Sequence, residues 1–260
     1  MKLNSFLKST FALLTVVLFF SGLAAFAEVG DKSSDPARSA DRALPHPDSE
    51  DSRILTRYFA AVEQQRTAMR GQAMEVDIDA RIPKLQKEGK LHALRKISSV
   101  GKVTYRALGF SGDMSVKKDV IARYLTAEVQ AQGSADDISI TPNNYKFKYK
   151  GAQTFDGRKV YVFHLAPRKK RIGLFKGEVW IDADTSMPVQ EAGLFVKSPS
   201  IFFRKLRFVR MYAMNDGVSV PSHIATTIDT RIVGPVQFDI NFAKPTKFTG
   251  PDDAPGEGDE

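Results

Sequence analysis

Apolar residues recur along this chain with two different periods. Between Arg53 and Gln72 the apolar positions Ile54, Leu55, Tyr58, Phe59, Val62 and Met69 fall at helical spacing, with Arg57, Glu63, Gln64 and Arg66 between them. This spacing predicts an amphipathic helix ending at Gly71. The period then drops to two: Met74, Val76 and Ile78 alternate with Glu75, Asp77 and Asp79, which gives a strand with one apolar and one acidic face. Pro83 and Gly89 punctuate the chain, and Ala93 to Phe110 reads as another strand or a strand pair. Helical period returns from Ser115 to Gln132 through Val116, Val120, Ile121, Tyr124, Leu125 and Val129.

From Tyr145 onward the pattern is all strand. Turn signals at Asp156-Gly157, Gly173, Gly177, Asp184 to Pro188, Asn215-Asp216-Gly217 and Gly234-Pro235 divide it into six or seven antiparallel strands. Tyr145, Phe147 and Tyr149 alternate with Lys146, Lys148 and Lys150, while Tyr161, Phe163 and Leu165 share one face of the next strand, so one side of the sheet is strongly aromatic. Phe203 to Met214 has no clean sidedness: Leu206, Phe208 and Tyr212 fall on one face, and Phe203, Val209 and Met211 on the other. A sheet of this length with two good helices must curl, close or be capped. The expected fold class is α+β, mainly antiparallel β: a curved, incomplete β-barrel (half-barrel) with two or more helices capping its open, apolar side. Periodicity leaves open whether the helices fill that side or leave a cavity.

The residues ahead of the first helix change the picture of where this domain works. Lys2 and Lys8, the apolar run Phe11 to Phe20, the helix-ending Ser21-Gly22 and the small residues of Ala25-Phe26-Ala27 together read as a secretory signal peptide, residues 1–27, cleaved after Ala27. The apolar run is far short of the roughly 20 residues that span a hydrocarbon core. The chain contains no Cys, so it can carry neither a disulfide nor the acyl chains of a lipoprotein. The expected location is the periplasm, with the mature chain free of a lipid anchor.

Charge divides the chain further. Residues 28–52 and 251–260 are rich in Ser, Pro, Asp, Gly and Glu and poor in large apolar residues, which predicts a disordered linker and an acidic disordered tail. The body between them, residues 53–250, carries 33 basic and 18 acidic residues. Outside the cytoplasm, such an excess suits membrane head groups or an acidic protein surface rather than nucleic acid. Lys and Arg on exposed strand faces also serve solubility.

Within the strand region, Asp156-Gly157-Arg158-Lys159-Val160-Tyr161-Val162-Phe163-His164-Leu165-Ala166-Pro167 is followed by the basic segment Arg168 to Arg171. Then come Gly177-Glu178-Val179-Trp180-Ile181-Asp182 and Met187-Pro188. This order resembles the LolA/LolB-type outer-membrane lipoprotein-sorting proteins, in which a Tyr-x-(apolar)-x-Leu-x-Pro strand precedes a Trp-Ile-Asp strand and a proline. The match spans most of residues 53–248 and is strongest between Asp156 and Pro188. The resemblance implies a half-barrel whose apolar interior holds the acyl chains of a lipoprotein or another lipid crossing the periplasm, with an inner-membrane donor, an outer-membrane acceptor and at most transient membrane contact. It implies no catalysis and no cofactor. It also implies an arginine inside the barrel that holds the closed lid, for which Arg81, Arg95 and Arg106 are the candidates. Absence of Cys fits the soluble carrier of that family better than its membrane-anchored acceptor.

Candidate residues for the lipid-binding wall are Tyr161, Phe163, Leu165, Trp180, Ile181, Phe203 and Phe208, all of which could equally serve as ordinary core. Arg168, Lys169, Lys170, Arg171 and Lys176 form the densest basic run and could approach lipid phosphates or an acidic partner. The histidines His46, His92, His164 and His223 show no metal-ligand spacing, so no metal is expected. No Gly-x-Ser-x-Gly elbow or phosphate-binding glycine loop occurs, and Asp182 with Asp184 reads as turn chemistry. Two functional classes therefore stand: a periplasmic acyl-chain carrier, and a non-catalytic envelope adaptor that binds an acidic protein through its basic surface. A hydrolase would need His164 or His223 beside a Ser and an acid in a polar pocket.

Overall fold

The computed structural model describes residues 49–131, 135–198, 203–231 and 233–248. The signal segment with Ala27, nearly all of the linker and the acidic tail lie outside them. Helix α1 (Glu50–Ala68) starts earlier than its apolar period, because the Ser49 side chain accepts from the Ser52 amide at 3.4 Å and Glu50 and Asp51 occupy the first turn. Glu50 to Ser52 therefore belong to the helix and not to the linker. The Gly71 amide then donates to the Ile97 carbonyl at 2.8 Å, turning the chain into the sheet.

Strands β1 (Gln72–Ile82), β2 (Lys87–Ile97) and β3 (Val103–Gly112) form an antiparallel meander, so the stretch from Ala93 to Phe110 is a strand pair. The helical region that follows is continuous through α2 (Met114–Val116), a π-type turn at Lys117–Ile121 and α3 (Ala122–Ala131), and is capped by Asp113, whose carboxylate accepts from the Ser115 amide at 2.7 Å. After the short α4 (Ala135–Ile138) comes the long meander. It consists of β4 (Tyr145–Phe155), β5 (Arg158–Pro167), β6 (Phe175–Asp182), β7 (Pro188–Phe195), β8 (Phe203–Asn215), β9 (Val218–Thr230) and β10 (Pro235–Phe242). A short β11 (Thr246–Lys247) pairs with the start of β1. Asp156-Gly157 and Asp216-Gly217 take positive φ at both central positions, as tight hairpins require.

The eleven strands make one antiparallel sheet in the order β3-β2-β1-β10-β9-β8-β7-β6-β5-β4. Its edge strands β3 and β4 are not paired with each other, so the barrel stays open. They are consecutive strands in the chain, and the segment that joins them carries α2, α3 and α4 from one edge of the sheet to the other. Bulges between β2 and β3, β4 and β5, β6 and β7, and β8 and β9 add local bend and twist. A facing glycine pair, Gly177 and Gly193, lets β6 and β7 coil tightly: a Cβ on Gly177 would overlap the Ala192 carbonyl oxygen, and one on Gly193 would lie 2.5 Å from the Phe175 ring.

Two apolar clusters line the inner face, each beneath one helix. Under α3, and the π-type turn before it, lie Met74, Val76, Ile78, Leu91, Phe238 and Ile240, with Val116 and Ile121 packed on them. Under α1 lie Tyr145, Phe163, Leu165, Phe175, Val179, Ile181 and Phe208, covered by Ile54, Leu55 and Tyr58. A third, small cluster of Val160, Val162 and Val189 with Phe155 and Trp180 sits on the opposite, outer face of β4 to β7.

Candidate functional site

The sequence-predicted wall residues divide by strand alternation. Tyr161, Phe163 and Leu165 share the inner face of β5, and Ile181 lies on the same side of β6 in the α1 cluster. Trp180 does not: one residue away on a regularly alternating strand, it faces outward and meets Phe155 edge-on at 5.2 Å. Its placement beside Ile181 in one wall is corrected accordingly. Phe208 is on the inner face of β8, and so is Phe203, packed with Leu206 in the α3 cluster. A bulge between Phe203 and Lys205 inverts the parity of that strand, which is why its alternation looked mixed, and Val209 is left 39% exposed outside.

The wall is broader than the sequence candidates. Tyr149 stacks on Phe163 at 5.0 Å, Phe175 meets Phe208 edge-on at 4.9 Å, Phe195 lies 5.1 Å from Phe208, and Phe59 of α1 touches Phe147 at 5.6 Å. Tyr145, Phe147 and Tyr149 were visible as an alternating row. Phe175 and Phe195 carried no such signal, because glycines occupy the positions between them and the sheet's interior. Phe163, Leu165 and Ile181 are completely buried beneath α1, whereas Tyr149, Tyr161, Phe195, Phe203 and Leu206 remain partly accessible on the same inner side. The helices thus lie directly on the wall, and its deepest residues become accessible only where a helix yields.

Polar groups enter this apolar face at two places. Arg95, on the inner side of β2, donates from Nε to the Tyr105 hydroxyl at 3.0 Å and from Nη2 to Glu128 of α3 at 3.3 Å. The Tyr105 hydroxyl donates to the same carboxylate at 2.7 Å, and burial and then Glu128 raise its pKa. Of the three candidate arginines, Arg95 is the one tied to a covering helix, while Arg81 and Arg106 are exposed on the sheet. The second place is the seam between the clusters. There Arg210 of β8 donates to Glu191 of β7 at 2.8 Å and the Tyr212 hydroxyl donates to the other Glu191 oxygen at 2.9 Å. Burial and then the Glu191 charge raise the pKa of Tyr58 and of Tyr212. Burial opposes the charge on Arg210, but Tyr212 and Glu191 outweigh it and hold it cationic. No sequence pattern singled out either group, since each depends on the register between neighbouring strands and, for Glu128, on where α3 lies over the sheet.

The basic run takes several roles. Arg168 donates to the carbonyls of Pro142 at 2.7 Å and Tyr145 at 3.2 Å, and Arg171 pairs with Asp137, so these two fasten the loop after α4. Lys169, Lys170 and Lys176 are exposed. His92 meets Asp77 at 2.8 Å and His223 meets Asn241 at 2.9 Å on the outer face. Asp182 is 4% exposed, and its Oδ1 accepts from the Asp184 and Thr185 amides at 3.0 and 2.9 Å. Its carboxylate closes a turn, the chemistry read for it in the sequence. Among the described residues no three His, Asp or Glu side chains are placed to hold a metal ion, and no helix is long and apolar enough to cross a membrane.

Comparison with known proteins finds no matching family model and no matching curated protein. Among solved structures, a DUF1329 family protein from Desulfovibrio piger is 12% identical with a TM-score of 0.40, covering 76% of this chain and 94% of that one. A LolA superfamily protein from Nitrosomonas europaea is 11% identical with a TM-score of 0.38, covering 76% and 95%. An outer membrane lipoprotein-sorting protein domain from Vibrio parahaemolyticus is 12% identical with a TM-score of 0.34, covering 74% and 94%. The chain is similar to these structures at 11–12% identity, with no TM-score above 0.40.

Proposed function

We propose that this chain is an exported carrier that binds the acyl chains of a lipoprotein or another lipid between its helices and the inner face of its open sheet, for transfer toward the outer membrane. The observation that carries this reading is how α1 meets the wall: Ile54, Leu55 and Tyr58 cover Phe163, Leu165 and Ile181 by apolar packing. A helix held this way can be exchanged for an acyl chain at little net cost. The wall stays out of water in both states, and each chain methylene buried contributes about 0.8 kcal/mol. The open sheet edge between β3 and β4 gives such a chain a way in without breaking a barrel. Purified mature protein should carry co-purifying lipid by mass spectrometry and should take up a fluorescent fatty acid saturably. A protein that is lipid-free and indifferent to acyl probes would sink the proposal.

A second reading rests on a different surface. Lys146, Lys148 and Lys150 stand in an exposed row on the outer side of the edge strand β4, with Lys169 and Lys170 exposed in the loop after β5. Such a row can recognise an acidic protein, and it also protects an open edge from pairing with other chains. A salt-sensitive pull-down of one protein partner by lipid-free protein, lost on charge reversal at Lys146 and Lys148, would favour the adaptor.

A further inference from the structure

The Glu191-Arg210-Tyr212 group is unequal in what it leaves open. Both carboxylate oxygens of Glu191 already accept a hydrogen bond, and its side chain is 7% exposed. Arg210 donates to Glu191 and is also hydrogen-bonded to Tyr212, which leaves most of the five N–H groups of the guanidinium for another acceptor, and 36% of its side chain remains accessible. That accessibility is not on the outside of the molecule. Arg210 alternates with Phe208 and Tyr212 on the inner face, and its guanidinium carbon lies 5.7 Å from the centre of the Phe208 ring. Tyr58 of α1 and Tyr124 of α3 both fall within its electrostatic reach, so the group lies near both covering helices.

An ion pair that serves only to join two strands gains most when both partners are enclosed, because desolvation of the arginine is repaid only by filled donors. Here both acceptor oxygens are engaged within the group, while the donor keeps N–H groups to spare. Whatever completes it must therefore bring acceptor oxygens. The pair is formally neutral, so a full negative charge on the newcomer is not required. Phe208, Phe175 and Phe195 flank it on the side under α1, and Leu206 and Phe203 continue the inner face of β8 beyond Phe208.

We propose that Arg210 is the head-group subsite of the inner face: it donates to the carboxyl oxygens at the head of an acyl chain, as a free carboxylate or as an ester, while the chain lies against the Phe208 side of the wall. The assignment rests on the carrier reading of the same face, and adds to it a point of attachment and a polarity for the bound chain. Glu191 and Tyr212 are positioning residues that hold the guanidinium on the inner face.

The test is displacement of the apolar dye N-phenylnaphthylamine from the mature chain by three competitors of one chain length: a saturated fatty acid, its methyl ester and the parent alkane. The wild-type chain is expected to favour the acid or the ester over the alkane by about tenfold or more. A tighter acid marks a free carboxylate as the ligand, and an equal or tighter ester marks an esterified chain. The charge-balanced variant Glu191→Gln/Arg210→Met is expected to lose that preference while still releasing dye to the alkane, which also reports an intact wall. Arg210→Lys, which keeps the charge and loses the planar fork, provides a milder change and is expected to lower the preference about threefold. A preference unchanged in both variants, or a wild type that does not distinguish acid and ester from alkane, overturns the subsite and leaves the carrier reading standing. Failure of the wild type to bind dye and all three competitors overturns the carrier reading, and this assignment with it.

Discussion

Tyrosine 145 is enclosed by Phe147 and Phe175, accepts the Phe175 amide on its hydroxyl at 3.2 Å, and has its pKa pushed up to about 12 by burial. It is one of six among the chain's seven tyrosines with raised pKa, and burial is the leading cause in each. A neutral tyrosine held this way stabilises the fold fully below its unfolded value near 10, and that contribution is lost as pH rises through the folded value. Absorbance titration should therefore show most of the tyrosinate signal appearing together with unfolding above pH 10 and not before; early, independent ionisation would contradict the enclosure. Trp180 makes the complementary point. Because it packs on the outer face, Trp180→Ala should lower stability by about 2 kcal/mol yet leave acyl-probe affinity unchanged, whereas Phe208→Ala should reduce both. The Trp180 position was misjudged because the motif around it was read as a string, while the pleat separates it from Ile181. Alternation alone would have placed it correctly.

At the level of elements, most of the pattern was legible. The two amphipathic helices, the acidic and apolar faces of β1 and the Asp-Gly hairpins all follow from local period and turn chemistry, and the structure has them; after Tyr145 it has the eight strands β4 to β11 where the turn signals give six or seven, and Gly177 lies inside β6 rather than at a turn. Bulges were not legible. A bulge inserts one residue without any composition signal, and those beside Lys150 and Arg204 turn Phe155 outward and Phe203 inward. The interior polar groups were hidden too, since Arg95 meets Glu128 only when α3 lies over the sheet, and Glu191 meets Arg210 only through the register of β7 with β8. The first of these groups fastens α3. Arg95→Ala should leave Glu128 without its cation and loosen that helix by about 1–3 kcal/mol, seen as faster amide exchange over Ala122–Ala131 than over α1. Equal exchange in wild type and variant would show that the group does not hold the helix. The contrast matters for function, because α1, which meets the wall through apolar groups, is then the element expected to yield first.

For the whole molecule, the open half-barrel was foreseen from the arithmetic of one long sheet and two helices. Its closure against β1 was not, because pairing of β1 with β10 joins the two ends of the domain and leaves no trace in local pattern. The curvature of the sheet depends on places where side chains are missing. Gly177→Ala should be among the most damaging single substitutions, costing about 3 kcal/mol or more, because the new methyl meets backbone at Ala192 and not a movable side chain; thermal unfolding would measure it. Mildly lowered stability would mean that β6 and β7 can separate there without disturbing the wall.

The connection from β3 to β4 carries one more consequence. Its two ends are anchored at the two free margins of the sheet, so its described helices α2, α3 and α4 form part of a strap across the mouth. A strap of fixed length limits how far the margins can part. Under the proposed carrier role, cargo size is then set by chain length in this segment as much as by the lining of the wall: lengthening it should admit bulkier lipids, and shortening it should exclude them before it unfolds the protein.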